Sequence, residues 1–194
     1  MSALSQSAPT GLLLTPGAGA DRDHHSLRAV ADHVTASMAL TVERVDFPYR
    51  LAGRRMPDRP PVATAHLRAE AERLANRLDV GTDRLLLGGR SYGGRMCSMA
   101  VAEGLPAAGL VLLSYPLHPP GKPAKLRVEH FGALHVPVLF VSGDRDPFGT
   151  PAELAEHAAA IPGPVTQVTL PGAHDVRNQD DAVARAVVDW LAVL

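Results

Sequence analysis

Six short apolar runs recur along the chain, with longer amphipathic stretches between them. The runs are Gly11–Thr15, Val42–Asp46, Arg84–Gly88, Gly109–Leu113, Val138–Ser142 and Thr166–Leu170. Most of them are apolar throughout rather than alternating, which is typical of strands covered on both faces. Strands of this kind that alternate with helices predict the α/β class, as a three-layer αβα sandwich around a mostly parallel six-stranded sheet.

The length and the helical periodicity together favour one domain. Apolar residues recur at helical spacing between the runs, for example from Leu67 to Leu78. A chain of 194 residues is most simply one folding unit. We therefore expect residues 1–10 to form an N-terminal extension and residues 11–194 to form a single domain.

Two proline-rich segments interrupt the regular alternation of strands and helices. Phe47 to Pro61 also carries several arginines, and Ser114 to Pro123 holds four prolines with a glycine and a lysine. Both segments follow predicted strands, so they border the carboxyl edge of the sheet, where α/β proteins carry their chemistry. We expect each to be a surface loop or the wall of a pocket.

The composition excludes several classes of partner. Nineteen basic residues against 20 acidic ones give a net charge of −1, and aromatic residues make up only 4% of the chain. Neither number favours binding of nucleic acid. The apolar run Leu12 to Leu14 is too short for a signal peptide, and no other run approaches the length of a membrane span. The single cysteine, Cys97, has no partner for a disulfide, which favours a reducing, cytoplasmic location. Its place six residues after Ser91 indicates a small buried residue rather than a nucleophile.

A serine lies in a G-x-S-x-G motif between the third predicted strand and the following helix. The motif reads Gly89-Arg90-Ser91-Tyr92-Gly93. A strand-to-helix turn of this type strains the serine backbone and projects the hydroxyl above the sheet, and the flanking glycines avoid clashes. Ser91 is therefore the candidate nucleophile, and the alternative is an incidental serine in a glycine-rich turn.

A serine hydroxyl needs a base, and the base needs a carboxylate that orients it. In this architecture the acid follows the serine along the chain and the histidine comes last. His174 follows the last predicted strand, whereas His157 falls within a helix, so His174 is the candidate base. Asp144 and Asp146 both follow the fifth strand. We prefer Asp146, which is further out on its loop, and expect Asp144 to bond to backbone in the turn.

The loop after the first strand could supply donors for an oxyanion. The backbone N–H of Tyr92 is one expected donor, and that of Ala18, in a loop of small residues, is the other. Gly17 and Gly19 also imitate a dinucleotide fingerprint, but Arg22 occupies the third glycine position. That reading also leaves the serine, acid and histidine loops unexplained.

Other polar residues near these loops receive less specific interpretations. His24 and His25 are adjacent and are expected to point in different directions, so no metal site is predicted, and Asp23 is expected to cap the helix. Arg90 and Arg95 are expected to form surface or inter-loop salt bridges. Lys122 and Arg127 are further candidates, for contact with an anionic group of a substrate.

Five motifs together resemble the α/β-hydrolase fold. They are TPGAG, GGRSYGG, SYPLHPPGKP, SGDRDPFG and LPGAH. Two segments are the specific signatures, Ser114–Arg127 and Asp146–Gly149 (DPFG). They resemble more narrowly a small dienelactone-hydrolase-related branch that includes testis-expressed and NSL-complex-subunit-type proteins. The resemblance implies Ser91, Asp146 and His174 as a catalytic triad.

The same resemblance implies the surroundings of the site. It makes Gly17–Gly19 the oxyanion loop; many relatives begin this motif with histidine, where this chain has Pro16. Many dienelactone hydrolases have a cysteine nucleophile, whereas this chain has serine. Candidate substrate-binding residues fall within the motifs, namely Gly17, Tyr115, Leu117, His118 and Phe148.

The expected function is that of a serine hydrolase acting on a small-molecule ester, thioester or related acyl substrate through an acyl-enzyme, with neither cofactor nor metal. The alternative is a non-catalytic scaffold or complex subunit with the same fold. Only the residues between Ser114 and Val136 occupy the place where relatives insert a lid. We therefore expect a minimal fold without a cap domain, and an open site.

Overall fold

A parallel six-stranded sheet forms the centre of the computed structural model, which describes residues 8–194. Residues 1–7 of the predicted N-terminal extension lie outside the described residues. The strands are β1 (Gly11–Thr15), β2 (Thr41–Arg44), β3 (Leu85–Arg90), β4 (Gly109–Leu113), β5 (Val138–Gly143) and β6 (Val165–Leu170). Their order is β2-β1-β3-β4-β5-β6, and every neighbouring pair is parallel. The predicted fold class is confirmed.

Helices cover both faces of the sheet and bury its apolar side chains. They are α1 (His25–Ser37), α2 (Pro48–Leu51), α3 (Pro60–Leu78), α4 (Tyr92–Ala102), α5 (Pro151–Ala158) and α6 (Asp180–Leu191). One core lies between the sheet and α1 with α6, and the other lies under α3, α4 and α5. The four inner strands β1, β3, β4 and β5 are buried over almost their whole length, because both of their faces are covered.

Strand β3 continues two residues beyond its predicted end at Gly88. Gly89 pairs with Thr15 of β1, and Arg90 pairs with Leu113 of β4. Glycine is usually depleted in strands, which hides this extension in the sequence. Here the glycines are required by close packing, since a Cβ atom at Gly88 would lie 2.6 Å from the carbonyl oxygen of Val111.

The segment from Phe47 to Pro61 is more ordered than the predicted loop. It contains α2 and the start of α3, and Phe47 and Tyr49 within it are fully buried. Prolines at the first positions of both helices explain the proline content, because proline is well tolerated there. The surface-loop alternative is wrong, because the segment packs at the end of the sheet that carries the candidate site, with the ring centroids of Phe47 and Tyr92 5.0 Å apart. A role as a pocket wall stays a prediction.

The cap of α1 also differs from the prediction. The N-cap residue is His24, whose side chain accepts a hydrogen bond from the backbone N–H of Ser26, and the predicted cap Asp23 instead pairs with Arg44. The helix therefore begins one residue later than expected. This shift brings the His24 ring to the helix start, beside the candidate site.

The described residues contain no cap domain. The stretch between β4 and β5 runs through one short 3-10 turn at Phe131–Ala133 and packs against the body of the domain. Among residues 8–194, no helix has both the length and the apolar character needed to cross a membrane.

Candidate active site

Ser91 occupies the sharp turn between β3 and α4. Its backbone has φ 51° and ψ −115°, a left-handed conformation that is strained for a residue with a side chain. Its N–H donates to the carbonyl of Leu113 (2.8 Å), and its carbonyl accepts from the N–H of Arg95 (3.0 Å). The turn is thus held from β4 on one side and from α4 on the other.

Glycines flank this turn because it packs directly on the end of β1. A Cβ atom at Gly93 would lie 2.5 Å from Thr15 Oγ1 and 2.6 Å from the carbonyl oxygen of Pro16. The contacts at Gly89 are equally close. The motif glycines therefore allow the serine turn to approach the candidate oxyanion loop.

The packing at Gly89 leads to a stability prediction. A methyl group there would lie 2.3 Å from Thr15 Oγ1 and 2.4 Å from the Thr15 carbonyl oxygen. Gly89→Ala is therefore expected to lower the free energy of unfolding by about 3 kcal/mol, as measured by urea denaturation. Gly132→Ala is the control, since a Cβ atom there meets no heavy atom within 4 Å. Equal stability of Gly89→Ala and wild type would contradict this packing.

Cys97 lies on the buried face of α4, below the serine. It is fully buried, and its thiol donates to the carbonyl of Gly88 at 3.3 Å. Burial raises the pKa of this thiol to about 12. The group is therefore a protonated packing residue and not a second nucleophile.

His174 connects Ser91 to a buried carboxylate. Its Nε2 atom lies 2.9 Å from Ser91 Oγ, and its Nδ1 atom lies 2.8 Å from Asp146 Oδ2. Asp146 is only 3% exposed, and its Oδ1 atom accepts a hydrogen bond from the Phe148 N–H at 2.8 Å. A carboxylate is an acceptor only, so Nδ1 carries the hydrogen and the lone pair of Nε2 faces the serine hydroxyl.

The neighbouring acid has a different partner. Asp144 is exposed, and its Oδ1 atom accepts from the N–H of Gly172 at 2.8 Å. Gly172 belongs to the loop that carries His174, so Asp144 ties two loops together rather than closing its own turn. Phe148 completes this side of the site, with its ring centroid 4.0 Å from that of His174.

The candidate oxyanion donors lie on the two sides of Ser91. Tyr92 is the first residue of α4, and Gly17 comes so close that a Cβ atom on it would lie 3.5 Å from Ser91 Cβ. The Ala18 carbonyl accepts from the Tyr49 hydroxyl at 2.8 Å, which fixes the orientation of the loop. Gly17 and Tyr92 thus lie next to the serine, and the Ala18 N–H stays the predicted second donor.

A buried acid, Asp58, connects the supports of these donors, and it was missed at the level of sequence. Its Oδ2 atom accepts from the N–H of Tyr49 (2.9 Å), its Oδ1 atom accepts from Arg54 (2.8 Å), and its carbonyl accepts from the Tyr92 hydroxyl (2.6 Å). Burial raises the pKa of Tyr92, so this hydroxyl stays protonated as a donor. Asp58 is the only acid between Asp46 and Glu70, and this isolated acid in an arginine-rich segment was the sequence signal that could have identified it.

The family follows from comparison with known proteins. A sequence model described as an alpha/beta hydrolase domain matches residues 8–186. The chain belongs to the alpha/beta hydrolase family. Solved structures with the same fold include Est1E from Butyrivibrio proteoclasticus, with a TM-score of 0.76 and 16% identity over 98% of this chain and 89% of Est1E.

Two further solved structures resemble this hydrolase. The dienelactone hydrolase from Anabaena variabilis has a TM-score of 0.77 and 18% identity, over 96% of this chain and 87% of its own. The RedJ thioesterase of the prodiginine pathway in Streptomyces coelicolor has a TM-score of 0.69 and 19% identity, over 97% of this chain and 91% of its own. At such identities the likeness is one of fold.

Three predicted substrate-binding residues of the hydrolase are buried in its body. Tyr115 is 2% exposed, and its hydroxyl donates to the Arg127 carbonyl at 2.7 Å. Leu117 is fully buried, and His118 is buried with its N–H donating to the carbonyl of Phe148. Burial does not favour direct contact between these side chains and a substrate. Of the three, His118 holds the backbone of Phe148, and Phe148 itself remains partly exposed.

Two histidines of the hydrolase meet near the candidate base, contrary to the expectation that they diverge. The ring centroids of His24 and His25 are 4.2 Å apart, and their Nε2 atoms lie 3.3 and 3.6 Å from Asp175 Oδ1. His24, His25 and Asp175 do not form a suitable cation-binding site. Arg90 already contacts the same carboxylate oxygen at 2.9 Å. His24 Nδ1 accepts from Ser26, so the neutral ring carries its hydrogen on Nε2.

This cluster anchors the loop that carries His174. As predicted, Arg90 forms an inter-loop salt bridge, with Asp175, and it also donates to the His174 carbonyl at 3.2 Å. Burial alone would raise the pKa of Asp175, but the hydrogen bond from Arg177 and the charge of Arg90 outweigh it and lower this pKa. Burial, followed by Arg90, lowers the pKa of His24. Asp175 therefore stays ionised and holds the loop to the end of β3.

Proposed function

We propose that this alpha/beta hydrolase is a serine hydrolase that cleaves esters, thioesters or related acyl substrates through an acyl-enzyme. The observation that carries the proposal is the connected chain of Ser91, His174 and Asp146, with hydrogen-bond distances of 2.9 and 2.8 Å. A base that lies between a hydroxyl and a buried carboxylate is the arrangement that activates a serine.

In the acylation step, Ser91 Oγ bonds to the carbonyl carbon of the substrate while its proton moves to His174 Nε2. The carbonyl electron pair moves onto oxygen, where the N–H groups of Tyr92 and Ala18 stabilise the negative charge. The intermediate then collapses and expels the alcohol or thiol, which takes the proton from Nε2. Asp146 stabilises the imidazolium in the meantime.

In the deacylation step, water takes the place of the serine hydroxyl. His174 Nε2 accepts a proton from the water as its oxygen bonds to the acyl carbon, and the same two N–H groups stabilise the second oxyanion. Ser91 Oγ leaves with the proton from Nε2, and the carboxylic acid is released. Each step needs only groups that this chain and water supply.

The substrate class and the narrower branch of the family are part of the proposal. The neighbouring thioesterase and dienelactone hydrolase support an activated acyl substrate. The described residues contain no cap domain, which supports small or extended substrates that enter without movement of a lid. The DPFG motif, with Phe148 beside His174, supports the dienelactone-hydrolase-related branch.

A second candidate function is that of a non-catalytic subunit that binds a protein. Three large apolar side chains of the Phe47–Pro61 region and its border are exposed, namely Leu51, Met56 and Val62. Exposed apolar surface is a feature of partner binding. This candidate predicts a folded protein whose Ser91 is unreactive.

Labelling with a fluorophosphonate separates the two candidates. We expect one equivalent to bind, and mass spectrometry of peptides to locate it on Ser91, because the reagent requires a serine activated by a base. Heat-denatured protein is the control and should not react. Parallel assays with p-nitrophenyl butyrate and an S-acyl thioester distinguish esterase from thioesterase activity. A folded protein that neither labels nor hydrolyses either substrate would contradict the proposed function.

A further inference from the structure

Two arginines lie on the side of the site bounded by α4 and the segment that follows β4. Arg95 is one helical turn after Ser91, and its N–H donates to the Ser91 carbonyl. Arg127 faces it from the other element, where its N–H donates to the Leu117 carbonyl at 2.9 Å and its carbonyl accepts from Tyr115. Both arginines are half-buried.

Neither arginine has a compensating acid. Among residues 8–194, no carboxylate oxygen lies within 4.0 Å of the guanidinium of Arg95 or Arg127. The Nε atom of Arg95 is buried and has no hydrogen-bond partner. The predicted salt bridge of Arg95 is therefore wrong, whereas that of Arg90, five residues earlier, is present.

The remaining neighbours do not supply negative charge. His130 Nε2 lies 2.7 Å from Ser98 Oγ, and the Ser98 hydroxyl donates to the Arg95 carbonyl at 2.9 Å. Burial, followed by the charge of Arg95, lowers the pKa of His130 to about 4 and overcomes the opposite effect of the exposed Glu129. His130 is therefore neutral and serves as a donor to Ser98.

The two positive charges also oppose each other. Burial, followed by the nearby charge of Arg95, lowers the pKa of Arg127. Like charges that are partly removed from water destabilise the folded protein unless an opposite charge compensates them. An anion between the two guanidinium groups would remove this cost and give the buried Nε atom an acceptor.

We propose that Arg95 and Arg127 form a subsite for a carboxylate on the acyl part of the substrate. The planar fork of a guanidinium matches a planar carboxylate, and two such groups can hold one anion from two directions. Arg95 follows Ser91 by four residues, or about 6 Å along the helix. The carboxylate is therefore separated from the scissile carbonyl by a short carbon chain, as in a half-ester of a dicarboxylic acid. This inference rests on the proposed function and narrows its substrate class.

The first test compares charged and neutral substrates of equal length. The p-nitrophenyl half-esters of succinate, adipate and suberate are each paired with the corresponding ω-methyl ester, at constant ionic strength and with spontaneous hydrolysis subtracted. We expect kcat/KM for the best half-ester to exceed that of its methyl ester by about tenfold or more, because hydrogen bonds to charged groups contribute on this scale. Equal rates for every pair would overturn the proposal.

Substitution of Arg95 and Arg127 tests whether these two residues cause the preference for the charged substrate. Arg127→Gln is expected to reduce the ratio of the two kcat/KM values to about one, and Arg127→Lys is expected to retain part of it. Arg95→Gln is a second variant in case the first does not fold, as judged by circular dichroism. Arg185→Gln is the matched control, since Arg185 is an exposed arginine of α6. A preference that persists in both Arg127→Gln and Arg95→Gln would overturn the subsite.

A binding measurement separates this inference from the proposed function. Adipate alone is expected to raise the Tm of wild-type protein relative to sodium chloride of equal ionic strength, and to have no such effect on Arg127→Gln. If no ester is hydrolysed and this shift is observed, the proposed function fails while the anion subsite stands. If wild type shows neither a charge preference nor a shift in Tm, the subsite is overturned.

Discussion

Ser91→Ala is expected to lower kcat/KM for a p-nitrophenyl ester by about 10⁵-fold, which leaves only the contribution of the oxyanion donors and substrate binding. The loss is this large because, within residues 8–194, Ser91 is the only residue whose hydroxyl is hydrogen-bonded to the candidate base. Ser91 Oγ is the atom within hydrogen-bond distance of His174 Nε2, at 2.9 Å. Steady-state kinetics measure the fall in kcat/KM, and loss of fluorophosphonate labelling shows that the reactive hydroxyl is gone.

The control for this variant removes a hydroxyl elsewhere. Ser37 is exposed at the end of α1, and Ser37→Ala is expected to hydrolyse the ester at the wild-type rate. Because Ser91 has a strained backbone, the stability of Ser91→Ala is measured by urea denaturation alongside its activity. A folded Ser91→Ala protein that retained more than about one per cent of activity would contradict the role of Ser91.

Asp146→Asn is expected to lower kcat for the same ester by about 10⁴-fold. The carboxylate accepts from His174 Nδ1 and thereby places the free lone pair on Nε2. An amide nitrogen in its place would donate to Nδ1 and shift the hydrogen to Nε2, where the ring can no longer accept the proton of Ser91. The geometry would persist, but the tautomer would be wrong.

The neighbouring acid provides a matched control for this second variant. Asp144→Asn lies two residues away in the same loop, and its amide oxygen can still accept from Gly172. We expect kcat to change less than about threefold in Asp144→Asn, because its carboxylate does not contact the imidazole. If Asp144→Asn were the more damaging substitution, Asp144 would be the acid of the site.

The fold could be predicted where local pattern and tertiary environment agree. The bounds of β1 and β4 match the apolar runs to the residue, because both strands are buried on both faces. Helix α2 could not be predicted in this way. Its place depends on Asp58, whose carboxylate holds Tyr49, and a hydrogen bond across nine residues leaves no periodic signal in the sequence.

In the site, the features that depend on chain order could be predicted, and those that depend on contacts between distant loops could not. The order of serine, acid and histidine along a parallel sheet predicted that their loops meet, because strand ends share one edge. It did not distinguish Asp146 from Asp144, and the preference for Asp146 rested on its position further out on the loop. The pairing of arginines could not be predicted. Arg90 and Arg95 look alike in the sequence, but only Arg90 faces an acid, since the partner comes from a loop far along the chain.

The buried thiol of Cys97 can report the local opening of α4, the helix that begins directly after Ser91. A thiol reagent can modify this single cysteine only when α4 separates from the sheet, because the group is fully buried. The rate of modification therefore reports how often that helix opens in native conditions. Comparison of the free and acylated protein would reveal whether turnover and local opening are coupled in the same helix.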